Sequence, residues 1–78
     1  MTLFTPLNPA FVAAVREARK NDHLQDALMR GRGGRVLTDL AWEVSTFTCC
    51  SSSAHGKKQM QRLAIAIGYD GEIFAEVE

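Results

Sequence analysis

A formally neutral chain of 78 residues, with nine Lys and Arg against nine Asp and Glu, is long enough for one domain spanning 1–78 and too short for a second catalytic or regulatory unit. Apolar residues make up 46%, but ten of them are alanines and two are cysteines, so a thin core is expected; the apolar fraction argues against disorder. No uninterrupted apolar stretch approaches the roughly 18 residues a membrane helix needs, which removes a membrane from the expected partners. The first nine residues lack the basic flank and apolar centre of an export signal. With Cys49 and Cys50 adjacent, a reducing, cytoplasmic setting is expected.

In chain order, residues 1–8 read as an extended lead-in with Leu3, Phe4 and Leu7 as anchors. Asn8 followed by Pro9 is a helix start, since the Asn side chain can accept from free first-turn amides and proline has no amide to leave unpaired. Phe11, Ala14, Val15 and Ala18 then recur at helical spacing. Asn21 and Asp22 interrupt that stripe, and Asp22 with Gln25 three places on resembles a capping box, so 9–30 is either a helix pair or one bent helix. It should end at Gly31, because Gly31, Gly33 and Gly34 each cost about 1 kcal/mol inside a helix.

Residues 36–49 fit two periods. Leu37, Leu40, Ala41, Val44 and Phe47 sit at helical spacing, whereas Val36, Thr38, Leu40, Trp42, Val44, Thr46 and Thr48 alternate as in a strand. The aromatic and β-branched content of 42–48 favours the strand, with Trp42 in the core. Residues 50–58, rich in serine, read as a loop. Residues 59–68 and 72–78 then read as a β-hairpin turning at Tyr69-Asp70-Gly71. A three-residue loop pairs Ile67 with Ile73, Ile65 with Ala75 and Leu63 with Val77 on one apolar face. The rival is a helix over 57–67 using Met60, Leu63, Ala64 and Ile67. The resulting expectation is an α+β fold, an N-terminal helix or helix pair packed on a three-stranded antiparallel β-meander, with Ala64, Ala66, Phe74 and Glu76 on an uncovered sheet face.

The charge is unevenly placed: residues 1–68 carry all nine cations against five carboxylates, and the end carries Asp70, Glu72, Glu76 and Glu78. Nucleophilic catalysis would fall to Cys49 or Cys50 with His55 or His23 as base, but no orienting third group or oxyanion motif accompanies them. Cys49, Cys50 and His55 also lack the spacing of a zinc site. No cofactor and no enzymatic activity are expected. Arg30, Arg32 and Arg35 lie on a glycine-rich stretch that resembles a short RGG-type element over six residues.

These features point to a small, non-enzymatic protein-binding module that occupies a surface on a larger protein or nucleoprotein complex. Its size class includes phage and mobile-element inhibitors of host machinery such as anti-CRISPR proteins, although no residue carries that resemblance. The expected contact residues are Tyr69, Asp70, Glu72 and Glu76 at the acidic end, with Arg30, Arg32 and Arg35. The alternative is a nucleic-acid-binding protein whose basic face comprises Arg30, Arg32, Arg35, Lys57, Lys58 and Arg62. A homo-oligomer is a third expectation, given the thin core and open sheet face.

Overall fold

Asn8 starts the first helix as its position before Pro9 predicts. In the computed structural model, which describes residues 4–30 and 34–75, Asn8 Oδ1 accepts from the Ala10 amide at 3.0 Å. Helix α1 runs Pro9–Lys20 and buries Phe11, Val12, Val15 and Ala18. Asn21 then serves two helices. Its amide closes α1 on the Glu17 and Ala18 carbonyls, and its Oδ1 accepts from the His23 amide at 3.0 Å to open α2, Asp22–Arg30. The region 9–30 is therefore a helix pair. The cap falls one residue before Asp22, and Gln25 reaches back to the Arg19 carbonyl (2.8 Å) instead of closing a capping box. The expected stop at Gly31 lies outside the described residues.

The second half overturns the expected fold class. Residues Gly34–Thr46 form helix α3 where a strand over 36–49 is expected, and Ala54–Ile67 form helix α4 where a loop and a strand are expected. The architecture is four helices with one two-stranded antiparallel sheet, not a helical layer on a three-stranded meander.

Packing explains both corrections. In α3 the buried residues are Leu37, Ala41 and Val44, a 3.6-residue stripe that meets α1, α2 and α4. Strand alternation would have hidden Val36 and Trp42, which are 49% and 60% exposed. The strand preference of 42–48 is a weak bias that a helix with three packing partners overrides. Hydroxyl groups are accommodated by bonding back along the helix, Thr38 Oγ1 to the Gly34 carbonyl (2.9 Å) and Thr46 Oγ1 to the Trp42 carbonyl (2.6 Å).

Helix α4 is bracketed by two caps. Ser53 Oγ accepts from the Gly56 amide at 3.1 Å, and Gly68 adopts the left-handed conformation at φ 72°, which glycine enters without steric cost. Met60, Leu63, Ala64 and Ile67 are buried, the set expected for the rival helix, whereas Ile65 is 79% exposed. The chain still reverses near Tyr69-Asp70-Gly71, but it leaves a helix to do so, and Tyr69 Oη donates to the Glu72 carbonyl at 2.9 Å.

The strands lie where a lead-in and a loop are expected. Strand β1, Phe4–Pro6, pairs with β2, Cys49–Ser51, through Phe4–Ser51, Thr5–Cys50 and Pro6–Cys49. Pro6 has no amide for a ladder, and its carbonyl accepts from Ala75 (3.1 Å) on the side away from β2, while the Asn8 amide donates to Ile73 (2.8 Å). Buried Leu7 is thus held between β2 and the returning chain. The face expected to be uncovered is not: Ala64 is buried, and Ala66 and Phe74 pack half-buried against the core. Glu76 and the end of the expected last strand lie outside the described residues. Among the described residues no helix is long and apolar enough to cross a membrane.

Two alanine substitutions separate α4 from the hairpin, which would put both side chains on one face. Leu63→Ala removes a fully buried side chain and is expected to lower unfolding stability by about 2–5 kcal/mol, while Ile65→Ala stays within about 0.5 kcal/mol. Equal losses in chemical denaturation would contradict the helix.

Candidate functional site

Helix α3 does not stop abruptly at Thr46. The Phe47 amide still bonds to the Glu43 carbonyl at 2.7 Å, which continues the helical spacing and aligns Phe47 with Leu40 and Val36 along one flank. That flank faces the first turns of α4 across β2. Between them lies a cleft of about 560 Å³, within the size range of ligand pockets. Buried Val44, Cys50 and Met60 form its base, and Phe4 and Phe47, 55% and 62% exposed, stand at its rim. Its polar fringe includes Glu43, His55 and Gln59.

The first turn of α4 closes on the end of β2 because residue 56 is glycine. A Cβ there would stand 2.7 Å from the Ser51 carbonyl oxygen, so any side chain would push the two apart.

Both cysteines and His55 border this cleft, so the structure brings together the two candidate thiols and one of the two candidate bases, without His23. Adjacent strand residues point to opposite faces, and accordingly Cys49 is exposed and Cys50 buried. Burial pushes the Cys50 thiol above its ordinary value, the neighbouring Cys49 adds to that shift, and Lys57 partly offsets it. The His55 ring nitrogen Nε2 meets Gln59 Nε2 at 3.3 Å. His23 sits in the first turn of α2, its backbone amide bonded to Asn21. Among the described residues no three His, Cys, Asp or Glu side chains group as metal ligands.

The other expected site residues fall elsewhere. Tyr69 is half-buried, its ring edge-on to Phe11 at 5.3 Å, so most of it serves the core; Asp70 and Glu72 are exposed beside it. Arg30 ends α2 and Arg35 opens α3, both exposed, while Arg32 and Glu76 lie outside the described residues. Lys58 and Arg62, four apart, share the outer face of α4 with Ile65, and Lys57 is turned about 100° from Lys58. The arginine pair and the α4 cations therefore belong to different helices. Of these, none of the described residues lines the cleft.

Phe4, Leu40 and Phe47 form a surface that the expected fold does not bring together. Helical spacing of 40, 44 and 47 was the available signal, masked by the strand assignment. Trp42 is also corrected from core to surface. It lies beneath Arg19, whose guanidinium carbon is 4.1 Å from the ring centroid. Comparison of the chain with protein-family models, with curated proteins and with solved structures finds no match.

The two thiols should differ sharply in reactivity. At neutral pH a maleimide is expected to label Cys49 quickly and Cys50 only on unfolding, giving one fast equivalent by mass spectrometry, and two fast equivalents would contradict the burial of Cys50. Because the Cys50 value is raised in the fold, the stability from keeping its proton is intact below the ordinary thiol value of 9.0 and is lost as pH rises through the higher one.

Proposed function

We propose that the chain is a small, non-enzymatic protein-binding module that takes an apolar segment of a larger protein into the cleft between α3 and α4. The observation that carries this reading is the pair of rim phenylalanines, Phe4 and Phe47, each more than half exposed beside an apolar base of Val44 and Met60. Apolar surface left in water gains roughly 25 cal/mol per Å² when a partner covers it. Aromatic anchors around a pocket are also where binding energy concentrates in protein interfaces.

This reading moves the contact surface away from the acidic turn. Tyr69 is committed to Phe11 and to the Glu72 carbonyl, so Asp70 and Glu72 act as peripheral charges that orient a partner. Obstruction of a larger protein, the role suggested by the chain's size class, requires only such occupation.

A random peptide library displayed on phage and panned against the full chain tests the proposal. Apolar peptides are expected to be recovered, to shift the amide resonances of residues 43–60, and to bind about tenfold or more weakly to Phe47→Asp. Position 47 is exposed, so circular dichroism of that variant should match the parent. Recovery of no peptides, or of peptides indifferent to Phe47→Asp, would reject the cleft as the docking surface.

A further inference from the structure

We propose a second, independent site on the opposite flank of α3: a surface for single-stranded nucleic acid, where Arg16, Arg19 and Lys20 hold phosphates and the open face of Trp42 stacks a base.

Ser45 draws two guanidinium groups together. Arg16 Nε donates to its carbonyl at 3.1 Å, and Arg19 Nη1 donates to its hydroxyl, while Arg19 also lies over the Trp42 ring. Among the described residues neither guanidinium forms an ion pair with a carboxylate. Two like charges gathered at one serine repel each other, and an anion placed between them relieves that repulsion. Each of the two hydrogen bonds uses one of five N–H donors, so both groups keep donors for phosphate oxygens. Lys20 follows on the same flank of α1, four residues from Arg16, and is exposed.

Trp42 specifies the ligand further. Arg19 covers one face of its ring, yet the residue is 60% exposed, so the exposure belongs largely to the opposite face. A fixed aromatic face beside unpaired arginines is the combination that binds single strands, because phosphates meet the cations and a base stacks on the ring. A duplex keeps its bases stacked internally and has no use for that face.

Carboxylates nearby set limits on the field. Glu43 lines the cleft on the other side of α3; Glu17 is turned about 100° from Arg16 but stands one turn before Lys20 and tempers that charge. Asp39 stands one turn before Trp42 on the same side and opposes an incoming phosphate. Its removal should therefore strengthen binding, an effect that a structural role for the arginines does not produce.

Trp42 is the only tryptophan, so its emission reports the site directly. Titration of the full chain with an oligothymidylate of about ten nucleotides at low salt is expected to quench that emission saturably. The logarithm of affinity should fall against the logarithm of salt with a slope of about −2 for three phosphate contacts. Lys20→Gln should reduce the slope by about 0.7, and Asp39→Asn should tighten binding severalfold. Both positions are exposed, which keeps the variants folded. Absence of quenching at low salt would overturn the proposal. So would quenching unaffected by salt and by both substitutions, or displacement of the oligonucleotide by inorganic pyrophosphate at equal phosphate concentration, which would mark a simple anion site.

Discussion

Burial of Leu37, Ala41 and Val44 along one side of α3 is the constraint on which the molecule depends. All four helices touch one another, but α3 makes the most extensive contacts, above all with α1 and α2, so its orientation does most to set where the others sit. Its start is held tightly. A Cβ on Gly34 would stand 2.1 Å from the Met29 carbonyl oxygen, so only glycine lets α3 begin against the last turn of α2. Its end is held by Arg16, which satisfies the Ser45 carbonyl that the terminating helix leaves unpaired.

Once α3 is a helix facing the core with that stripe, its two flanks are determined. One presents Leu40 and Phe47 to the cleft beside α4 and β2. The other presents Trp42 beneath Arg19, next to α1. In so small a domain, a side chain left on the surface is one the core had no room for. With Phe11, Val15, Leu28 and Leu63 filling the centre, Trp42 of α3 and Phe47 just past its end face outward. The proposed protein-binding cleft and the proposed nucleic-acid surface thus have one origin in helical geometry, although each stands on its own observations.

Helix α1 was legible because its signals are local. Asn8-Pro9 and the apolar spacing that follows act within one helix, and no distant contact competes with them. The second half was not, because its outcome rests on packing partners far away in sequence. Residues 42–48 carry a strand bias, and only contact with three other helices outweighs it. In α4 the caps were present in the sequence as Ser53 and Gly68, but three consecutive serines resembled a loop and Tyr69-Asp70-Gly71 resembled a hairpin turn. Alternation of Leu63, Ile65 and Ile67 then suggested a strand, although Ile65 faces water. The candidate surfaces followed the same division: individual charged residues were visible, whereas the cleft and the Arg16–Ser45–Arg19 arrangement required α3 to be placed first.

The most direct test of this account is the backbone carbon chemical shifts of Val36–Thr46 in solution. Cα shifts displaced downfield from random-coil values at every one of these positions would match α3. Upfield Cα shifts across 38–46, the mark of an extended chain, would contradict it and dissolve both surfaces built on its flanks.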